Sequence, residues 1–479
     1  MTSTQRLARW ELRAAFAQRL SQMYGEEVPA YTTLVEVSEA VNRDYQQTHP
    51  ELAEHLGSIS RVTAERHGAI RVGTPQELTD VARVFAAFGM YPVGFYDLRD
   101  AAASSVPVVS TAFRPIDAEE LARNPFRVFT SMLTVDDPRF FSPDLQQRLE
   151  AFLAQRTLFP EELLLLADKA DREDGLGEPE ASRLLELATA SFKLSDDPVD
   201  ESWYRELEQI SAVAADIGGV TTTHINHLTP RVLDIDDLYA RMEQRGITMI
   251  DEVQGPPGWD GPDILLRQTS FRALDEQRVF RFPDGSTGPG TLRVRFGEVE
   301  QRGIALTPAG RDIYDRMVAE TDQLLHEEPG APRAEIARRV WQKHIPTTEK
   351  ELDEQGLGYF TYELAASPED IRHQLSGGPE GVELQELIDR GLLRATPIVY
   401  EDFLPRSAAG IFQSNLTGEG TRDNSHEAAR YDAAALSTMI GRELAEPTEL
   451  YAAQRAQSLA DCAEALGQPI IDYPSHLKG

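Results

Sequence analysis

Cysteine is almost absent from this sequence: there is one among 479 residues, Cys462. A single cysteine excludes an intramolecular disulfide framework and any zinc site built from several thiolates. It lies in the helical pattern "SLADCAEALG", where we expect a small packed side chain rather than a nucleophile. Because the chain has no disulfide to form, a cytoplasmic location is the default expectation.

Long apolar runs, basic clusters and nucleotide motifs are also missing. No stretch approaches the roughly 20 apolar residues of a membrane-spanning helix, and the N-terminal "MTSTQRLARWELRAAF" lacks the apolar core of a secretory signal. The formal net charge is −32, whereas nucleic-acid binding needs a basic surface. No glycine-rich phosphate loop follows a strand. We therefore expect no membrane partner, no nucleic-acid partner and no nucleotide cofactor.

The chain has enough apolar residues, 41%, to bury a large core. Strand-like and helix-like patterns alternate in blocks along it, which predicts an α+β fold. We expect five regions, in this order: N-terminal helices (1–55), a first strand-rich module (56–136), a helical insert (137–217), a second strand-rich module (218–306), and a mixed helical C-terminal region with cavity-closing strands and a loop (307–479).

The two strand-rich modules begin with the same pattern. Residues 67–78 read "HGAIRVGTPQEL" and residues 227–238 read "HLTPRVLDIDDL". Both contain H-x-x-x-R-V with leucine at the twelfth position, and both continue into a helix-like stretch that ends at a glycine. Internal repeats of this kind indicate duplicated structural units. The sequence therefore predicts two β-α-β-β-β modules that pack as a pseudo-symmetric pair.

The repeat selects two histidines as candidate metal ligands. His67 and His227 occupy equivalent positions, whereas His224 lies on the opposite face of its strand because side chains alternate. A third ligand is expected from "LRVRFGEVEQRG", where Glu298 faces the same side as Glu300; we expect Glu300 to be solvated or salt-bridged. Two histidines and one carboxylate suit non-heme Fe(II), and manganese or cobalt would accept the same ligands.

Arg71 is a candidate for binding an anionic substrate. It lies four residues along the strand from His67, on the same face. A guanidinium can hold a carboxylate with two parallel hydrogen bonds, and so it attracts and orients the anion at once. In a chain with a strong negative charge, such a cation would be needed near the metal.

Several stretches resemble known families. "INHLTPRV" and "FGEVEQRG" are similar to the metal-binding strands of the vicinal oxygen chelate superfamily. The whole chain resembles the 2-oxoadipate dioxygenase/decarboxylase family, on the stretches "RHGAIRVGT", "THINHLTPRVLDID", "RFGEVEQRGIALTPAGRDIYD" and "YEDFLPRSAAGIFQSNL". This resemblance implies two vicinal-oxygen-chelate modules that form a metal-binding β-cup. It also implies an enzyme that converts 2-oxoadipate and O2 to D-2-hydroxyglutarate and CO2 in lysine catabolism.

The resemblance also implies roles for particular residues. Fe(II) would be bound by His67, His227 and Glu298, and the small 2-oxo dicarboxylate by Arg71, which would also serve catalysis. Arg406 stands at a further substrate-contact position, where some members have a small apolar residue, and Ser407 beside it is a second candidate contact. The small residues of "SAAGIFQSN" suit a loop that seals the cavity.

Two other functions are compatible with the residues themselves. One is a different metal-dependent enzyme of the same superfamily, an isomerase or an extradiol-type dioxygenase. The other is a non-catalytic protein that binds a small anion. A complete set of three convergent ligands favours an enzyme, because an anion-binding protein has no need of it. The sequence makes no prediction of oligomeric state.

Overall fold

The computed structural model describes residues 6–50, 65–100, 106–293, 295–375, 381–415, 422–423 and 425–472. The helices are α1 (Arg9–Glu27), α2 (Pro29–Thr48), α3 (Pro75–Ala86), α4 (Ala118–Arg123), α5 (Pro143–Leu153), α6 (Glu161–Glu173), α7 (Glu178–Ser191), α8 (Glu201–Ile210), α9 (Ala212–Gly218), α10 (Ile235–Gln244), α11 (Pro308–Glu327), α12 (Arg333–His344), α13 (Glu349–Glu354), α14 (Pro368–Gln374), α15 (Leu384–Asp389), α16 (Pro405–Asn415), α17 (Ala433–Ile440) and α18 (Pro447–Leu466).

The strands are short and fall mainly in the two predicted modules. They are β1 (Arg6–Leu7), β2 (Glu65–Val72), β3 (Tyr91–Asp97), β4 (Val108–Arg114), β5 (Arg127–Leu133), β6 (Leu176–Gly177), β7 (Val199–Asp200), β8 (His227–Pro230), β9 (Leu266–Ser270), β10 (Glu276–Arg281), β11 (Thr287–Leu292), β12 (Glu298–Arg302), β13 (Phe360–Leu364), β14 (Val382–Glu383), β15 (Leu393–Pro397) and β16 (Ile470–Ile471). The fold is therefore mixed α and β, as predicted.

The chain divides into two compact units. The first contains Met1–Gln254, Gln268–Gln301 and Asp402–Ala445. The second contains Gly255–Arg267, Arg302–Glu401 and Glu446–Gly479. All the candidate site residues belong to the first unit.

A five-stranded sheet in the first unit has the strand order β3-β4-β5-β2-β8. Strand β2 is parallel to β5 and antiparallel to β8, with Ala69 opposite His227 and His67 opposite Thr229. The first strands of the two repeats are therefore direct neighbours. This pairing brings the two candidate histidines to the same part of one sheet.

Helix α3 packs on the face of this sheet that is opposite to the candidate histidines. It begins after Thr74, whose side chain accepts a hydrogen bond from the backbone N–H of Glu77, and Pro75 occupies the first turn, where its fixed φ suits a helix. Its apolar side packs on the sheet, with the ring of Phe85 5.3 Å from that of Phe113 on β4. Since side chains alternate along β2, the opposite face carries His67 and Arg71.

The second module differs from the first in its hairpin. Strand β10 pairs with β11 on one side and with β7, from the helical insert, on the other, while β9 pairs separately with β12. Exposed and more buried positions alternate along the hairpin, whereas β4 and β5 are buried throughout. A hairpin with one solvent-exposed face can belong to a separate sheet at the protein surface. A bridge between Arg231 and Glu300 still places β12 beside the chain that leaves β8.

The loop predicted for "SAAGIFQSN" is wrong, because this stretch lies in helix α16. Pro405 occupies the first turn, and two alanines with high helix propensity follow. The small residue Gly410 serves close packing, since a Cβ there would lie 2.5 Å from Oε1 of Gln254. At the other end Asn415 donates to the hydroxyl of Ser270 at 2.8 Å and anchors the helix on β9.

The second unit contains the antiparallel pair β13 and β15 and helices α11 and α12, whose contact includes Tyr314 and Trp341 with ring centroids 6.0 Å apart. Cys462, on α18, is buried, and its thiol lies 3.3 Å from the carbonyl oxygen of Tyr362. It is thus a packed side chain, as expected. The helices of the described residues include none with both the length and the apolar character of a membrane-spanning segment.

Candidate metal centre

Three side chains from distant parts of the sequence converge in the first unit. His67, His227 and Glu298 are buried, and each offers one ligand atom such that these atoms all lie within 4.8 Å of one another. Nε2 of His67 is 3.2 Å from Oε1 of Glu298, and Nε2 of His227 is 3.4 Å from Oε2 of the same carboxylate. The repeat predicted the two histidines, which the pairing of β2 with β8 brings together, and the alternation of residues 292–303 predicted Glu298, which lies on β12.

Glu300 fixes the orientation of the His67 ring. Its Oε2 lies 2.8 Å from Nδ1 of His67, and its side chain is fully buried. When Nδ1 donates a proton to this carboxylate, the lone pair of Nε2 is directed towards Glu298, which is the tautomer that a metal ligand needs. Glu300 is therefore salt-bridged rather than solvated. Its position two residues from Glu298, on the same face, is the signal that could have identified it.

Gln268 holds the third ligand in place. It lies on β9, and its Nε2 donates a hydrogen bond to Oε1 of Glu298. A hydrogen bond to one carboxylate oxygen limits rotation of the group and leaves the other oxygen for a cation. Gln268 was not identified from the sequence, because a single glutamine on a strand carries no recognisable pattern.

Burial and charge set the protonation of the three groups. Burial lowers the pKa of His227 to about 3, so its ring is neutral at neutral pH. Burial alone would raise the pKa of Glu298, but His227 and His67 outweigh it and hold this pKa below its usual value. For His67, burial would lower the pKa, but Glu300 and Glu298 outweigh it and raise it.

This donor set fits a divalent cation. Glu298 and Glu300 are two buried carboxylates on either side of one imidazole, and burying such charges is costly unless a cation compensates them. His227 is neutral and presents Nε2 to the same point. Two imidazole nitrogens and a carboxylate oxygen suit Fe(II), Mn(II) or Co(II) better than calcium or magnesium, which prefer all-oxygen sites.

Arg71 is held rigidly beside this centre. Its Nη1 donates to the carboxylate of Asp216, on α9, and its guanidinium carbon lies 5.0 Å from the ring centroid of Phe412, on α16. Its Nη2 is buried and has no hydrogen-bond partner within the described part of the chain. The guanidinium therefore has one fixed side and one N–H group free to bind an anion.

Asp216 is itself supported by side chains from the segment that precedes strand β8. It accepts a hydrogen bond from Nδ2 of Asn226 at 2.9 Å, and its other oxygen lies 3.2 Å from Nε2 of His224. Burial would raise the pKa of Asp216, but His224 and Arg71 outweigh it and hold this pKa far below the usual range. The ring of His224 thus contacts Asp216 and is not one of the three candidate metal ligands. Asp216 was not identified from the sequence, since 145 residues separate it from Arg71.

Helix α16 carries the other two predicted substrate contacts. Ser407 is buried, whereas Arg406 lies on the exposed side of the helix. Their roles in substrate binding stay predictions.

Aromatic rings enclose the histidines. The ring of Phe403 is perpendicular to His67 with centroids 4.9 Å apart, and it also contacts Phe129 at 4.8 Å. Phe296 lies 4.9 Å from His227. Apolar walls of this kind exclude water and lower the local dielectric, which strengthens every charge interaction inside.

Comparison with known proteins gives a consistent result. A family model described as 2-oxoadipate dioxygenase/decarboxylase matches residues 16–415. A protein of that name from Mycobacterium tuberculosis is 53% identical over 451 residues, which cover 94% of this chain and 98% of the relative. Another of that name, from Pseudomonas putida, is 41% identical over 462 residues, or 95% and 97% of the two chains.

A solved structure is similar over almost the whole length. The crystal structure of the hydroxyglutarate synthase from Pseudomonas putida in complex with 2-oxoadipate superposes with a TM-score of 0.82 and 39% sequence identity. The match covers 96% of this chain and 99% of that one.

Proposed function

The chain belongs to the 2-oxoadipate dioxygenase/decarboxylase family, and on this premise we propose that it is an Fe(II)-dependent enzyme that converts 2-oxoadipate and O2 to D-2-hydroxyglutarate and CO2 in lysine catabolism. The observation that carries the proposal is the convergence of His67, His227 and Glu298 within 4.8 Å in a buried site. Such a ligand set leaves coordination positions open for a substrate and for O2.

The proposed reaction balances without a further reductant. One carboxyl group of 2-oxoadipate leaves as CO2, and both atoms of O2 enter the shortened acid, one in its new carboxylate and one in its hydroxyl group. Fe(II) would supply the Lewis acidity and redox chemistry that O2 needs, with His67, His227 and Glu298 as its ligands.

The protein's own residues would bind and orient the reactants. Glu300 keeps a proton on Nδ1 of His67, so that Nε2 stays available as a ligand. Arg71, fixed by Asp216, presents its free Nη2 to a substrate carboxylate. Phe403 and the rings around it keep water away from reactive species.

We also propose that the two repeats are vicinal-oxygen-chelate modules, spanning residues 56–136 and 218–306, that form one β-cup. The neighbouring positions of β2 and β8, which carry the equivalent residues His67 and His227, support this interpretation. The helical content of the insert over residues 137–217 supports the boundary between the modules.

The substitution Glu300→Gln tests whether this carboxylate orients His67 as a metal ligand. The amide removes a negative charge from Nδ1 of His67 and can present either its oxygen or its NH2 group there, so the ring loses its fixed tautomer. We expect the affinity for Fe(II) to fall about 10- to 100-fold, the usual effect of losing a hydrogen-bond partner of a metal-binding histidine. Competition with a chelator under nitrogen measures this affinity. An unchanged affinity would show that Glu300 does not orient His67.

The function itself is tested with protein purified and loaded with Fe(II) under nitrogen. Mixed with 2-oxoadipate and isotopically heavy O2, it should form D-2-hydroxyglutarate that carries both heavy oxygen atoms, together with unlabelled CO2. Chiral mass spectrometry and an oxygen electrode follow the reaction. Consumption of O2 with a catechol but not with 2-oxoadipate would instead indicate an extradiol-type dioxygenase and overturn the proposal.

A further inference from the structure

Strands β2, β5 and β4 arrange their side chains in rows across the face that carries His67. Register pairs place Phe129 beside Ala69 and Ala112 beside Phe129; we call these three residues the apolar row. Partners in register point to the same side of a sheet. The contacts agree, because Phe129 touches Phe403, and Phe403 touches His67.

The next row on the same face is polar. Ser131 is the register partner of Arg71, and Ser110 is the register partner of Ser131; we call these three residues the hydroxyl row. The two rows lie two residues apart along each strand, a spacing of roughly 6.5 Å. Moving along β2, the face thus changes from the metal ligand His67, through the apolar row, to the hydroxyl row.

The two serines have an unused hydrogen-bond donor. Both are 1% exposed, and their Oγ atoms lie 2.8 Å apart. Two hydroxyl groups bring two protons, and only one can lie between the two oxygens. Within the described part of the chain, neither hydroxyl makes a hydrogen bond other than this one. A buried donor without a partner is unfavourable unless a ligand accepts from it.

We propose that Ser110 and Ser131, together with Arg71, bind the carboxylate of the substrate that is remote from the metal and so select a 2-oxo dicarboxylate over a 2-oxo monocarboxylate. This inference rests on the proposed function. The order of the rows matches such a molecule: the chelating 2-oxo acid lies at the metal, methylene groups lie over the apolar row, and the second carboxylate lies at the hydroxyl row.

The neutral serines would add direction to the charge of Arg71. A hydroxyl donates a short hydrogen bond to a carboxylate without adding a second buried cation. Arg71 has its Nη2 free in addition to the spare hydroxyl proton. Together these donors reject a ligand that lacks the second carboxylate, because both donors would then stay buried and unpaired.

The opposite face of the same strands offers a matched control. Thr130 lies one residue before Ser131, in register with Thr111, and both threonines are fully buried. The hydroxyl of Thr130 has no hydrogen-bond partner within the described residues. The substitution Thr130→Val therefore removes a buried hydroxyl from the same strand and keeps a β-branched side chain of similar size. Its side chain points away from His67.

The test compares the affinities of two acids for the Fe(II)-loaded protein by calorimetry under nitrogen. The acids are 2-oxoadipate and 2-oxohexanoate, which has the same chain length but no second carboxylate. In the double variant Ser110→Ala/Ser131→Ala, we expect the affinity for 2-oxoadipate to fall about 10- to 100-fold, because one charge-assisted hydrogen bond is lost. The affinity for 2-oxohexanoate should stay unchanged. Thr130→Val should change neither affinity. Removing both hydroxyls leaves no orphaned partner, and Ser131→Ala alone repeats the test if the double variant does not fold.

A purely structural role for the serine pair gives a different result. In that case the double variant would lose affinity for both acids to the same extent, or would keep its affinity for both. Either outcome overturns the inference. An unsubstituted protein that binds the two acids equally well overturns it too. If the protein binds 2-oxoadipate far more tightly than 2-oxohexanoate, and this preference falls about 10- to 100-fold in the double variant, the inference stands even when air produces no D-2-hydroxyglutarate. In that case only the proposed reaction fails.

Discussion

Replacement of His67, His227 or Glu298 by alanine is expected to abolish metal retention and reduce oxygenase activity to background. Each substitution leaves two ligands of three, and the remaining donors cannot enclose the ion. Loss of a partner that only orients a ligand already costs about 10- to 100-fold in metal affinity, so loss of a ligand itself should cost more than about 100-fold. Elemental analysis after gel filtration in metal-free buffer measures the retained metal.

His224→Ala is the matched control for the histidine variants. His224 is also buried and lies three residues before His227, but its Nε2 is 3.2 Å from Asp216 rather than in the cluster. We therefore expect this variant to retain its metal. If His224→Ala loses the metal and His227→Ala keeps it, the choice of His227 rather than His224 as a ligand is wrong.

Loss of the guanidinium in Arg71→Ala is expected to leave the metal bound and to weaken 2-oxoadipate binding at least about 100-fold. A charged hydrogen bond to a buried carboxylate contributes several kcal/mol when its partner is removed, and about 2.7 kcal/mol corresponds to that factor. Arg71→Lys should restore little, because a single ammonium group cannot donate to Asp216 and to a substrate carboxylate from the separate positions that Nη1 and Nη2 occupy. Calorimetry under nitrogen and metal analysis of the same sample separate the two effects.

The stability of the Arg71 variants needs its own control. Arg71→Ala leaves Asp216 as a buried carboxylate without its cation, which costs about 3–5 kcal/mol of folding free energy. Arg71→Ala/Asp216→Asn removes both charges and should recover much of this stability without recovering substrate binding. Arg99 is a matched position, since it is 4% exposed like Arg71 and pairs with the buried Asp137. Arg99→Lys should lower the melting temperature and leave the affinity for 2-oxoadipate unchanged; an equal loss of affinity there would argue against a specific role of Arg71.

The candidate ligands and much of the secondary structure follow from patterns in the amino-acid sequence. The shared pattern H-x-x-x-R-V identified His67 and His227 as equivalent, and strand alternation separated them from His224 and placed Arg71 on the same face as His67. These are local properties of a strand, and they can be read without knowing what the strand contacts. Glu298 followed because a carboxylate on the inner face of a strand needs a partner.

Prediction from local sequence is ambiguous where the same residues are compatible with two different local structures. The small residues of "SAAGIFQSN" are compatible with a tight loop and with a closely packed helix, and the structure has the helix α16. The hairpin β10–β11 lies within the predicted second module, and the structure adds β7 of the helical insert beside β10, which the sequence did not indicate. Strand pairing depends on which faces are buried by distant segments, and a single strand does not reveal this.

The side chains that support the site depend on long-range packing, which no sequence pattern revealed. The partners of Arg71 and Glu298 are Asp216 and Gln268, which contact them through hydrogen bonds between segments 145 and 30 residues apart. The hydroxyl pair of Ser110 and Ser131 depends on the register between β4 and β5. A hydrogen bond needs two groups within about 3 Å. Sequence spacing along one strand predicts the direction of each group, but the distance between two groups from different segments is set by the packing of the whole unit.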